Sequence, residues 1–463
     1  MSPRWQWWAA RIGLLVALVV VGLGCSPDDS LERSSPTTPH PSTTSATVAS
    51  SEDDEIVQPP TAEVMAELVD LPGRLAVGNG VGLSVLAPDG TEIASLQDTP
   101  DVLVSQPTWS NDGTRLAWSR ASVDDQELVV SAIDGSDEVV TPIDGPIVFY
   151  LQWSADDHGL VYLRTHTGGQ GVEMGLIEPG MRAIPVAVTE PLFVAWAPTS
   201  STVAMHVAAR QVVVVPDVFA APGPAPDPDS APDDQAVVVV DPTGGFTAPA
   251  WVDDRTLLVA TAEGLALVDV ETKRSVVQVP TEGRVQFLLS PDRSKVAYRI
   301  LGDGADSPVV VRTHASSSLV PVQNPAPTGG GLGVFDLASG ETTVVTDLVP
   351  LAWEWSPDST RLAWLDAGFP EIHPRTRWQF WDGAISVPSA EFDLSDRIRA
   401  SYLLFFEQYA QSQQRWSPDS RAFAFAGRLR PDEPGDGIWV QLVGVDAPPV
   451  RIADGDDVTW SSR

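Results

Sequence analysis

Residues 355–364 read WSPDSTRLAW, residues 416–425 read WSPDSRAFAF, and residues 109–118 read WSNDGTRLAW. The residues after each leading Trp are turn formers. Pro presets φ, Asp bonds its own backbone, and Gly accepts φ > 0. The residues that follow alternate, as in Arg361-Leu362-Ala363-Trp364, so one face of a strand is buried. The stretch therefore predicts a strand ending in Trp, a tight turn, and a second strand.

Looser copies occur along the chain: LQWSADDHGLVYLR at Trp153, VAWAPTSSTVAMHV at Trp196, PAWVDDRTLLVATA at Trp251, FLLSPDRSKVAYRI with Leu289 in the Trp slot, and VTWSSR at Trp460. Successive slots lie 38 to 66 residues apart, around the ~40–50 residues of a four-stranded blade. Second hairpins are expected around Asp134-Gly135, Pro242-Thr243-Gly244 and Ser339-Gly340. Each repeat then reads as four antiparallel strands. Trp109, Trp153, Trp196, Trp251, Trp355, Trp416 and Trp460 are the expected anchors, filling the space between adjacent sheets. The phrase recurs because one blade cannot bury its own faces.

On these motifs, residues 74–463 resemble the TolB-like, WD-related β-propellers, whose repeats carry a WSPDG core followed by alternating apolar residues. The resemblance implies an all-β disc with a central channel that binds proteins or peptides, and it implies no catalytic residue. The copies at Trp196 and Leu289 depart most from the motif. The last copy ends the chain without later strands, while residues 73–96 supply later strands with no Trp strand before them. Together the two pieces make one composite blade, closing a ring of eight by pairing C-terminal and N-terminal strands. Seven blades is the alternative, if one weak repeat is misread. VGNGVG, at 77–82, reads as a hairpin turn, since it lacks the full dinucleotide fingerprint and a following helix.

Three insertions interrupt the propeller: a Pro/Asp-rich loop at 221–235, a second at 302–331, and AEFDLSDRIRASYLLFFEQYAQSQQ at 390–414. Insertions in repeat proteins gather on one face and often bind. In the third, Leu403, Phe405, Phe406 and Tyr409 form an apolar run, which either packs on its own blades or offers a partner-binding patch.

Sixty-two acidic residues stand against 28 basic ones, a net charge of -34. A surface of that sign repels phosphate backbones, so no nucleic acid is expected as a partner. No G-x-S-x-G, H-E-x-x-H, P-loop or C-x-x-C motif occurs, and no catalytic residue is expected. His158, His166, His206, His314 and His373 show no ligand-pair spacing, so neither a metal nor another cofactor is expected.

The amino terminus reads as an address. Arg4 and Arg11 precede an apolar run at 12–24, too short for a membrane span, and then the single cysteine, Cys25. VGLGC resembles a bacterial lipobox, departing from it in having Gly22 three residues and Leu23 two residues before the cysteine. The resemblance implies a signal peptide at 1–24, a lipidated Cys25 and a protein held at the bacterial cell membrane, facing the periplasm or cell exterior. Residues 25–70 then form a Ser/Thr/Pro-rich tether ending in a short helix at 61–70, and 71–463 form the propeller. The functional expectation is a lipid-anchored propeller that binds an envelope protein, peptide or other envelope ligand as scaffold or sensor. The alternatives are a propeller enzyme with its site at the channel mouth, and a structural subunit of an envelope or export complex.

Overall fold

The computed structural model describes residues 60–463 apart from 124, 167–170, 181–182, 190–191, 220–236, 246, 282, 302–329 and 369–374. The tether, Cys25, His314, His373 and most of the first two insertions lie outside the described residues. Residues 62–463 form one compact unit.

The described strands make eight four-stranded antiparallel sheets. Blade 1 runs from Leu103–Trp109 to Val139–Pro142, blade 2 from Val148–Trp153 to Ile184–Thr189, and blade 3 from Leu192–Trp196 to Val237–Val240. Blade 4 spans Ala250–Trp251 to Ser275–Pro280, blade 5 Arg284–Leu289 to Thr342–Thr346, and blade 6 Pro350–Trp355 to Ser386–Pro388. Blade 7 runs from Asp393–Leu394 to Val450–Asp454. Blade 8 is the composite: Asp457–Trp460 pairs with Leu75–Gly78, followed by Gly82–Leu86 and Glu92–Asp98. Eight blades, not seven, therefore close the ring.

The repeated phrase holds both the turn and its neighbour. In blade 6 the Ser356 hydroxyl donates to Asp358, the Arg361 N–H donates back to Ser356 Oγ, and Ser359 sits at φ 60°. In blade 7 the same place is held by Ser420, at φ 62°. Ser420 Oγ accepts the Asp358 N–H of blade 6, and its carbonyl accepts the Arg361 guanidinium. Blade 5 grips Ser359 of blade 6 in the same way, through the Asp292 N–H and the Lys295 ammonium. The Ser-Pro-Asp-Ser-x-Arg spacing is thus a latch between blades as well as a turn.

The Trp slots form a second ring of contacts. Each indole N–H that follows the rule donates to the carbonyl just before the preceding blade's slot: Trp153 to Thr108, Trp251 to Ala195, Trp355 to Leu288, Trp416 to Glu354. Trp109 donates to Thr459 and carries the pattern across the closure. Trp460 instead donates to Pro72, and Leu289 has no N–H to give. Trp196 stacks on Phe219 with ring centroids 5.7 Å apart, and its N–H has no hydrogen-bond partner.

Two expectations are corrected. Pro242-Thr243-Gly244 is not a hairpin within a blade. Gln211–Val215 pairs with Val237–Val240, the last strand of blade 3, so the later turn leads from blade 3 into blade 4. The inner strand of blade 7 is split: Leu394 pairs with Gly427, and the chain returns only at Trp416, which bridges to Phe423. The expected helix is present as α1, Ala62–Val69, with Leu68 buried. It packs beside the turn of blade 7, where Arg421 pairs with Glu67 and Asp70.

Candidate binding site at the channel mouth

The residues that split the inner strand of blade 7, 395–415, fill the central channel. They fold as a π-helical turn (Ile398–Tyr402), a 3-10 turn (Leu403–Phe405) and one α-helical turn, α2 (Phe406–Tyr409). An inner strand has one edge paired within its blade and one edge facing the channel, and that second edge needs partners. The loop supplies them. The Gln408 amide accepts the Val194 N–H at 2.7 Å and donates to the Val194 carbonyl at 2.9 Å, standing in for a strand. Tyr409 donates to the Phe149 carbonyl at 2.6 Å, and Tyr150 donates to the Gln408 carbonyl at 3.1 Å. Thr108 donates to the Ser412 carbonyl, the Ala248 N–H to Glu407 Oε2, and the Trp460 N–H to the Gln414 carbonyl. Phe406 packs on Trp353 with centroids 4.5 Å apart, and Arg397 pairs with Asp457 at 3.0 Å. These contacts reach the inner strands of blades 1, 2, 3, 6 and 8 and the residue that leads into blade 4.

The apolar run, read either as packing on its own blades or as a partner-binding patch, is divided. Phe406 and Tyr409 are 2% and 3% exposed and face the channel wall. Leu403 and Phe405 are half-buried, Phe405 against Phe193, and only Leu404 between them is exposed, at 46%. The expected Trp anchors are all buried at their blade seams. His158 pairs with Glu178, His166 lies 3.5 Å from Glu173, and His206 is buried against the Thr247 carbonyl and Thr243 hydroxyl.

On the face that carries the Ser-Pro-Asp turns, a cavity of about 330 Å³, the cup, remains beside the loop. Pro198, Pro291, Pro357, Gln152, Gln411 and Glu407 are among the residues that line it. A side cavity of about 130 Å³ shares Gln152, Gln411 and Gln414. Two carboxyl groups reach the cup in different states. Glu354 is locked, its Oε1 accepting from both Arg415 and Tyr402, with the Arg415 guanidinium 3.7 Å above the Tyr402 ring. Glu407 is 2% exposed, and its Oε1 makes no hydrogen bond. Burial pushes its carboxyl up to about 7, against the pull of Thr247, the Ala248 N–H, Gln286 and Arg299. No motif marked Glu407. The signal available was a Glu-Gln pair inside the run from Leu403 to Tyr409, where polar side chains need partners once the run is buried.

The titration has a stability consequence with a definite sign. In the unfolded chain Glu407 ionises near 4.5, and in the folded protein near 7. The folded state holds a proton that the unfolded state releases, so this contribution is full below pH 4.5 and is lost as pH rises through 7. Asp456, raised to about 6 mainly by burial, adds in the same direction. Unfolding free energy is expected to fall by about 3 kcal/mol from the Glu407 titration between pH 4.5 and 8. Glu407→Gln should flatten that part of the slope, as read by urea denaturation across the range. An unchanged slope would place the titration elsewhere.

No family model and no curated protein sequence matches the chain. Among solved structures, it is similar to dihydro-heme d1 dehydrogenase NirN in complex with DHE, at 14% identity and a TM-score of 0.50 over 84% of this chain and 73% of that one. It is also similar to TolB from Acinetobacter baumannii, at 11% identity and a TM-score of 0.35 over 85% and 67%. A third is an oligogalacturonate lyase in complex with manganese, at 10% identity and a TM-score of 0.43 over 84% and 98%. The likeness is one of fold: this chain is a β-propeller distantly similar to TolB, NirN and other propellers.

Proposed function

We propose that the chain is a lipid-anchored, extracytoplasmic binding propeller, a scaffold or sensor that holds an envelope protein or peptide at the cup. One observation carries the reading. The protein's own loop is bonded to inner strands around the ring, and a cavity of about 330 Å³ lies beside it on one face. A recess of that size suits capture of a ligand end. Binding is favoured over catalysis by the state of the two carboxyls. Glu354 is already held by Arg415 and Tyr402, so it is not poised beside Glu407 as the second member of an acid–base pair. The anchoring half of the reading rests on the unique Cys25 at the end of the apolar run.

The test uses the tagged full chain in its native membrane, cross-linked, solubilised and recovered, beside Cys25→Ala and Gln411→Trp. Wild type is expected in the membrane fraction with a stoichiometric partner, and Cys25→Ala in the soluble fraction without it. Gln411→Trp, which fills the cup, is expected to stay in the membrane and lose the partner. Equal capture by Gln411→Trp would move the site away from the cup. Equal membrane retention of Cys25→Ala would remove the anchor.

A further inference from the structure

We propose that the cup receives an indole group, which completes the seam between blades 4 and 5 as the protein's own tryptophans complete the others. The inference deepens the binding reading above and rests on it. Five seams are closed alike: a slot Trp gives its N–H to the carbonyl just before the preceding blade's slot, at 3.1 to 3.4 Å. In blade 5 the slot holds Leu289, and the carbonyl in the matching place is that of Ala250. Leucine is smaller than tryptophan and has no N–H, so this seam lacks both the bulk and the donor that its neighbours receive. Among the eight slots the seven tryptophans are buried, and Leu289 alone is half-buried. Leu289 and Ala250, itself half-buried, line the cup from the two sides of that seam.

An indole matches what the seam lacks. Its flat ring carries a large apolar area, and its N–H is one donor with no acceptor beside it. A carbonyl has two lone pairs, so the Ala250 oxygen keeps one for the indole beside the ladder pairing of Ala250 with Leu258. An under-filled seam costs stability, and a ligand that fills it offsets the cost. At about 330 Å³ the cup holds an indole with room for the atoms that bear it. Pro198, Pro291 and Pro357 line the same cavity and offer apolar surface to the ring. Arg293 lines it too and is exposed. A guanidinium over an indole is a contact the protein already makes, where Arg115 lies 4.5 Å from the centre of the Trp153 ring.

The indole can come from a tryptophan side chain of a partner or from a small molecule. Calorimetry on the purified full chain separates them with end-blocked Gly-Trp-Gly and with indole, each beside its counterpart methylated at the ring nitrogen. Binding of the peptide supports the proposal with a side chain as the source. Binding of indole without the peptide supports it with a small molecule as the source. In either case methylation is expected to weaken binding about fivefold, the loss of one neutral hydrogen bond. Equal binding of the methylated probe, or binding of neither probe, overturns the proposal. Leu289→Trp supplies the ring from within the chain. It is expected to melt no lower than wild type and to weaken the bound probe at least tenfold. Unchanged binding by folded Leu289→Trp would take the site out of the seam. Should that variant fail to fold, the methylated probes still decide on the wild type. No probe binding with the membrane partner still captured removes this assignment alone. Probe binding without any membrane partner removes the scaffold reading instead.

Discussion

Replacing Arg415 by Met is expected to lower the unfolding free energy by about 3–5 kcal/mol, because it strands a buried carboxylate. Arg415 and Glu354 are both buried, and the guanidinium meets Glu354 Oε1 while stacking over Tyr402. Burial pushes the Tyr402 hydroxyl well above its ordinary range. With the cation gone, Glu354 is left buried without its charge partner. The companion variant Glu354→Gln with Arg415→Met removes both charges, and it should recover most of the loss. The cycle is read by urea denaturation. If the single and double variants are equally destabilised, the pair is not coupled. The position makes the outcome matter for function, since Glu354 lies on the inner strand of blade 6 and Arg415 closes the channel-filling loop. Weakening the pair should also loosen the lining of the cup.

The eight blades were legible because the information is local and repeated. A turn such as Ser356-Pro357-Asp358 satisfies itself within six residues, so the same phrase marks the same hairpin wherever it stands. The composite blade was legible too, since a lone Trp strand at one end and a strand set lacking one at the other can complete only each other. The channel filling was not legible. Its partners lie far along the chain: Gln408 meets Val194, Tyr409 meets Phe149, and Arg397 meets Asp457. Nothing in the run from Leu403 to Tyr409 distinguishes a loop packed inside the ring from a patch outside it, because both expose apolar side chains to something other than their own blade. What decides is the free edge of each inner strand, which exists only once the ring has closed. The two halves of the fold are therefore linked: closure creates the channel edges, and the loop from blade 7 satisfies them.

That dependence makes the closing strand the most sensitive point in the ring. Trp460→Ala is expected to cost about 3–5 kcal/mol, the range for emptying a well-packed aromatic site. Trp460 is 1% exposed, sits opposite Leu75 in the closing pair, and donates its indole N–H to the Pro72 carbonyl. Its backbone N–H holds the Gln414 carbonyl, so the same residue fastens the end of the channel loop. The chain bends to meet it at Gly73, φ 84°, where an added Cβ would lie 2.7 Å from the indole nitrogen. Loss of the ring should therefore act in two places at once. Hydrogen exchange is expected to quicken in Leu75–Gly78, which loses its partner strand, and in Phe406–Tyr409, whose channel partners are no longer fixed. Truncation after Asp456 takes the effect further, leaving Leu75–Gly78 as an open apolar edge that invites pairing with another chain, visible as a dimer or larger species by size exclusion. A truncated protein that stays monomeric, with α2 still protected, would show that the channel loop holds without closure, and that the order of dependence runs the other way.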